Sequence, residues 1–252
     1  MSSSTTPTSV ALYGATGLTG SHILSALLAG PNSFWQTVHT ITRRSPKSTG
    51  ATLNAIIESD TTKYAPALAQ LTPPPSVVIS ALATTRAQAG GIQQQWKIDH
   101  DLNVEIARAA KEAGAKTYVF VSSAGTRGPG HTYMPYARMK NGVEDAIKEL
   151  DFETAVIVKP AMILGQREKA RTLEWMLQKA VRGVGALSPG LKDSLGQEAD
   201  VIGRAAAKAA QIAAEGKAPS KYWIVDTNEI LKLGRSEAKA ETKPEGQEEA
   251  QK

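Results

Sequence analysis

With 252 residues, 41% hydrophobic and 21% charged, the chain is long enough for one large core and too apolar to be disordered throughout. It has no cysteine, which excludes disulfides, thiolate metal ligands and a cysteine nucleophile. Its four histidines (His22, His39, His100, His131) lack ligand spacing, so no metal is expected. The net charge of +5 is compatible with phosphate-bearing partners. No nucleic-acid signature accompanies it, and no apolar run approaches the roughly 20 residues that span a bilayer.

Residues 1–8 are a short polar segment without the apolar run of a secretory signal. Val10–Tyr13 reads as a first strand and Leu18–Leu28 as a helix stopped by Gly30-Pro31. Thr37–Thr42, Thr52–Ile57 and Ser76–Ser80 are the next strands, followed by one long helical pattern over Ile92–Ala113. Thr117–Val121 is a β-branched and aromatic fifth strand, Tyr136–Leu150 a helix and Thr154–Val158 a sixth strand. Leu173–Val184 and Asp200–Ala214 are helical, and Lys221–Val225 is a late strand. Strands separated by long helices need crossovers, so the expected fold is α/β: a doubly wound parallel sheet, Rossmann-like, in a single domain over residues 9–235. Residues 236–252 carry five glutamates against three lysines and no large apolar side chain. They are expected to be a disordered tail.

Strand one runs into Gly14-Ala15-Thr16-Gly17-Leu18-Thr19-Gly20 and then a helix. In that setting one glycine permits the tight turn, one the approach of backbone N–H groups to a pyrophosphate, and one the close packing of helix on strand. The phosphate would sit at the positive end of the helix. The G-x-x-G-x-x-G spacing differs from the commoner dehydrogenase fingerprint. At the end of strand two an acidic residue would accept bonds from the ribose hydroxyls of NAD. Arg43-Arg44 stands there instead, and two guanidiniums suit a 2′-phosphate. The expected cofactor is therefore NADP(H).

Strand five ends in Ser122-Ser123, and thirteen residues beyond Ser123 come Tyr136 and, four later, Lys140. The pair shares one helical face. An ammonium beside a phenol stabilises the phenolate, which fits the tyrosine to exchange a proton with a carbonyl or alcohol oxygen. Tyr133 has no lysine four residues on and is set aside.

These residues, with Val158-Lys159-Pro160, resemble the extended or atypical branch of the short-chain dehydrogenase/reductase superfamily. Ala83-Thr84-Thr85-Arg86, Ile98-Asp99-His100-Asp101 and Gly165-Gln166-Arg167-Glu168 narrow the resemblance. They look like the fungal group known as found in mitochondrial proteome, relatives of the human Tat-interacting oxidoreductase-like protein. The resemblance covers about residues 8–235. It implies that Tyr136 is the acid/base, that Lys140 lowers its pKa and binds the nicotinamide ribose, and that Ser123 orients the substrate, with Ser122 as fallback. Gly14, Thr16, Gly17, Leu18 and Gly20 would hold the pyrophosphate, and Arg43 and Arg44 the 2′-phosphate. Asp60 would either face the adenine or cap a helix. Many superfamily members have an asparagine in the helix before strand five; Asp99 aligns there, which puts the proton relay in question.

The substrate region is expected at about residues 161–199. Leu173, Met176, Leu177, Ala180, Val181 and Val184 form an apolar stripe flanked by Arg171, Lys179, Arg182 and Trp175. That pattern predicts a lid or core helix, with a basic helix lying on anionic lipid as the other reading. The resulting expectation is an NADP(H)-dependent oxidoreductase acting on a small carbonyl, alcohol or lipid-derived molecule. By resemblance it would sit peripherally on the cytosolic face of the mitochondrial outer membrane, with a cytoplasmic location as the alternative. A homodimer is a further expectation from the superfamily, and no nucleic-acid partner is expected. An NADP(H) sensor with little or no turnover is the other function class.

Overall fold

The computed structural model describes residues 8–29, 34–164 and 196–241. The elements are β1 (Thr8–Tyr13), α1 (Leu18–Ala29), β2 (Trp35–Thr42), β3 (Leu53–Ile57), α2 (Tyr64–Ala67), β4 (Val77–Ser80), α3 (Arg86–Ala89) and α4 (Ile92–Trp96). Then follow α5 (Asn103–Glu112), β5 (Thr117–Val121), α6 (Pro135–Glu149), β6 (Thr154–Val158), β7 (Met162–Leu164), β8 (Gly196–Glu198), α7 (Ala199–Ala214), β9 (Tyr222–Val225) and α8 (Thr227–Glu241). Seven strands make one parallel sheet in the order β3-β2-β1-β4-β5-β6-β9, and β7 pairs with β8 apart from it. This is the doubly wound arrangement that the alternation of elements predicts. The chain order reverses direction between β1 and β4, which opens a crevice at the carboxyl ends of these strands.

Alternate side chains of each strand enter opposite cores. On one face Val10, Leu12, Val38, Ile79, Val119 and Val156 pack under α1, α7 and α8. On the other Ala11, Tyr13, Ile41, Val78, Tyr118 and Phe120 pack under α2, α5 and α6. Both faces being covered explains why the central strands are apolar without alternation. The edge strand β3 is the exception: Ile57 is about half exposed. α7 lies close to the sheet because its buried face is alanine (Ala205, Ala206, Ala209, Ala210). A Cβ on Gly203 would stand 2.5 Å from Cβ of His22 on α1, so that crossing needs glycine.

Two expectations are corrected. The helix expected over Ile92–Ala113 starts as α4, passes through a π-turn at Lys97–Leu102 and only then becomes α5. Asn103 Nδ2 donates to the Ile98 carbonyl at 3.0 Å, five residues back, and Ser80 Oγ donates to Asn103 Oδ1 at 2.6 Å. A buried amide tied to β4 thus competes with the ordinary ladder, a tertiary influence that periodicity does not register. Second, the tail expected to be structureless from Ser236 continues helically to Glu241, because α8 is already anchored at Ile230 and across α7 at Gly234. Adding residues to an existing helix avoids the nucleation cost. Of the two readings kept for Asp60, the structure shows the cap: its carboxylate accepts from the Thr62 amide at 3.0 Å and the Thr62 hydroxyl at 2.7 Å at the start of a 3₁₀ turn. The expected helix Leu173–Val184, with its apolar stripe and basic flank, lies outside the described residues. So do Gly30-Pro31, the Gly165–Glu168 motif and residues 242–252.

Candidate functional site

The glycine turn joins β1 to α1 in the crevice. Gly14 has φ +82, and a Cβ there would lie 2.7 Å from the carbonyl oxygen of Ala81, just past β4. Only glycine satisfies both the left-handed backbone and that approach. The Gly17 amide donates to the Gly14 carbonyl at 2.9 Å and closes the turn. Gly20 is inside α1, where a Cβ would come within 2.0 Å of the Gly14 oxygen, which fixes helix tightly on strand. Thr16 and Leu18 are partly exposed and Gly17 exposed, while Thr19 is buried. Amides of the first turn of α1 have no carbonyl within the helix to serve them, and they face the crevice with the positive end of the helix dipole. This cradle of small residues fits a pyrophosphate. Arg43 and Arg44 follow β2 directly, both exposed, and no carboxylate occupies the positions that end β2.

The second half of the site is at the end of β5, two strands from β1. Ser122 and Ser123 point differently. Ser122 is buried and its hydroxyl donates to Glu144 Oε1 at 2.5 Å. Ser123 is partly exposed at the edge of the crevice, its hydroxyl 3.4 Å from the Ala124 carbonyl. Of the two serines, Ser123 is therefore the one open to a ligand. Tyr136 lies in the first turn of α6, 42% exposed, and Lys140 one turn later is buried, with 2% exposure. The Lys140 ammonium donates to the Val121 carbonyl at 3.0 Å and stands 4.7 Å over the Phe120 ring. Burial pulls its pKa down to about 8, opposed by the carboxylates of Asp99 and Glu144. Asp99, in the π-turn, is fully buried. Its oxygens accept from the Thr84 amide at 2.6 Å and from Gln95 Nε2 at 3.0 Å. Burial raises its pKa, against those two hydrogen bonds and the Lys140 charge. The π-turn, tied to the turn after β4, and helix α6 thus meet around one buried ammonium.

A parallel sheet in this order, a glycine cradle at β1 and a Tyr/Lys pair on the helix after β5 specify a lineage, and comparison with known sequences agrees. The sequence profile of the NAD dependent epimerase/dehydratase family matches residues 10–202. The chain belongs to the NAD-dependent epimerase/dehydratase family. It is 57% identical to the protein FMP52, mitochondrial, of Chaetomium globosum, over 90% of this chain and 97% of that protein. It is 54% identical to the protein fmp-52, mitochondrial, of Neurospora crassa, over 94% and 99%. Solved structures share the fold at low identity. One is MoeE5 in complex with UDP-glucose and NAD (TM-score 0.60, 17% identity, 92% of this chain and 82% of that chain). Another is the Bordetella bronchiseptica enzyme WbmH in complex with NAD+ (0.62, 16%, 96% and 83%).

Three residues outside those motifs became visible only in three dimensions. Asn103 braces the π-turn against β4. Arg127 bridges the loop after β5 to α6 through Glu144 Oε2 at 3.2 Å and Asp145 Oδ1 at 2.5 Å. Glu144 lies under the site with 2% exposure. The spacing Tyr136, Lys140, Glu144 repeats every four residues, a signal that places the glutamate on the helical face of the lysine. Among the described residues no group of three or more His, Asp or Glu is arranged to hold a metal, and no helix is long and apolar enough to cross a membrane.

Proposed function

We propose that the chain is an NADP(H)-dependent oxidoreductase of the short-chain dehydrogenase type, reducing a small carbonyl or lipid-derived carbonyl compound to its alcohol and running in reverse on the alcohol. The observation that carries the reading is that Lys140, one helical turn after Tyr136 in α6, reaches the Val121 carbonyl at the end of β5, next to Ser123 and two strands from the β1 glycine cradle. Gly14, Thr16, Gly17, Leu18 and Gly20 would hold the pyrophosphate, Arg43 and Arg44 the 2′-phosphate, and Lys140 the nicotinamide ribose. A bound nicotinamide dinucleotide supplies two electrons as hydride to the substrate carbon. The Ser123 hydroxyl holds the substrate oxygen in place. Tyr136 gives that oxygen its proton and is left as a phenolate. The Lys140 ammonium steadies the phenolate through its charge. Arg43 and Arg44 set NADP over NAD because a bidentate guanidinium matches a phosphate. The names of the relatives support a mitochondrial location. The outer-membrane cytosolic face, with peripheral attachment, extends that reading.

One observation favours the other class, a sensor with little turnover. Asp99 stands where many related enzymes have an asparagine, and both its oxygens are engaged by Thr84 and Gln95. Calorimetric titration with NADPH and NADH, followed by an NADPH-oxidation screen over a panel of carbonyls, separates the two. Tight NADPH binding with turnover supports the reductase; tight binding with no turnover on any carbonyl supports the sensor. Absence of binding to either nucleotide overturns both.

A further inference from the structure

We propose that Glu144 is a positioning residue of this site: its carboxylate locks α6 to the ends of β5 and β6 and keeps the neighbouring Lys140 ammonium charged. The inference rests on the reading of Tyr136 and Lys140 given above. Glu144 is one helical turn beyond Lys140 and two beyond Tyr136, on the same face. A carboxylate this buried is costly unless charge and hydrogen bonds compensate it. Here the compensation comes from three separate pieces of chain. Ser122 Oγ donates to Oε1 from the end of β5. Lys159 Nζ, just past β6, spans both oxygens at 2.9 and 3.0 Å. Arg127, in the loop between β5 and α6, donates from Nε to Oε2 at 3.2 Å and from Nη2 to Asp145 Oδ1. The Glu144 backbone carbonyl also accepts from Tyr222 Oη of β9 at 3.3 Å.

The assembly of Glu144, Asp145, Arg127 and Lys159 is neutral overall, so Glu144 has no need of Lys140 for its own pairing. Its negative charge nevertheless acts on Lys140, whose only hydrogen-bond acceptor among the described residues is the Val121 carbonyl. Two consequences follow. Ser123 immediately follows the serine that Glu144 grips, so the clamp sets the distance between Ser123 and the Tyr136 helix. The same carboxylate, together with that of Asp99 in the π-turn, opposes the burial that would discharge Lys140. A carboxylate serving only to hold the fold would have the first effect and not the second.

The test uses the full chain carrying ¹³C-labelled lysines, with the Lys140 resonance assigned by its loss in Lys140→Met. Glu144→Gln keeps the shape and removes the charge; Glu149→Gln makes the same charge change on the exposed side of α6. In Glu144→Gln the Lys140 titration is expected to move down by roughly one pH unit and to stay in place in Glu149→Gln. In NADPH-dependent carbonyl reduction, the alkaline limb of kcat/KM should move by the same amount. kcat should fall while KM for NADPH is unchanged. A Lys140 titration at the same pH in folded Glu144→Gln and wild type overturns the electrostatic role. If Glu144→Gln does not fold, Ser122→Ala, which removes one strut and no charge, tests the clamp: a lower kcat at unchanged KM for NADPH supports it, an unchanged kcat overturns it. Should Lys140 respond as expected while no protein, wild type included, reduces any carbonyl, the coupling stands and the reductase reading is what fails.

Discussion

Lys140 has the chemistry most dependent on its surroundings. In water its ammonium would persist to high pH; buried beside Phe120, it is pulled down to about 8. A base whose folded pKa is lowered loses its proton earlier as pH rises. The charged form that supports Tyr136 is complete well below pH 8 and disappears above it. The expected result is a kcat/KM for NADPH-dependent reduction that declines as pH rises through about 8, a limb that reports the free enzyme. A flat profile from pH 7 to 9 contradicts the assignment. Tyr136→Phe should lower turnover by about a hundred- to ten-thousand-fold with NADPH affinity nearly intact by calorimetry, since the ring remains and only the hydroxyl is lost. Arg43→Ala combined with Arg44→Ala should weaken NADPH on the order of ten- to a hundred-fold and NADH much less. Equal losses would remove the 2′-phosphate from the account.

At the scale of elements, the site depends on two close approaches. One is α1 on β1, where the Gly20 position lies against the Gly14 carbonyl. No side-chain rotation relieves a clash between a Cβ and backbone, so Gly20→Ala must displace the helix. It should cost about 3 kcal/mol, the upper end of ordinary overpacking, and weaken dinucleotide binding at the same time; urea unfolding and calorimetry on one sample read both. The other is α6 against the π-turn, where a Cβ on Gly142 would meet the His100 ring at 2.5 Å. His100 in turn stacks on Trp96 with ring centroids 5.0 Å apart, and Arg138 lies over Trp96. These contacts seat the helix bearing Tyr136 and Lys140 against the segment bearing Asp99.

At the scale of the whole molecule, stability at mildly acidic pH is tied to His39, a fully buried ring on β2. Asn54 Nδ2 sits 3.0 Å from His39 Nδ1, and Nε2 is 3.0 Å from the Pro73 carbonyl. Because Pro73 offers only an acceptor and Asn54 a donor, the neutral tautomer with its proton on Nε2 satisfies both. Burial lowers the His39 pKa below 6.5, with the Pro73 hydrogen bond opposing it. Between the folded value and 6.5 the unfolded chain binds a proton that the folded chain does not, so stability rises with pH across that window and falls as the solution is acidified. Urea midpoints should drop from pH 7.5 to pH 5.5, and the drop should shrink in His39→Gln. An undiminished drop would assign the acid sensitivity to other groups.

The order of strands and helices, the glycine turn and the Tyr136/Lys140 register were legible in the sequence, because each depends on local periodicity or on residues a few positions apart. Apolar runs mark strands buried on both faces, and Gly14 and Gly20 mark places where no side chain fits. The same reading placed Ser123 ahead of Ser122 only by resemblance and left cap and ligand open at Asp60, and it could not find the π-turn at Lys97–Leu102 or the buried carboxylate of Glu144. Those depend on partners such as Lys159, Arg127, Ser80 and Asn103, brought together across the sheet from distant parts of the chain. Local pattern determined which residues could do chemistry at the end of β5; the packing of α6 against the ends of β5 and β6 decided which hydroxyl stays open and how strongly the lysine holds its proton, because burial and long-range charge set both.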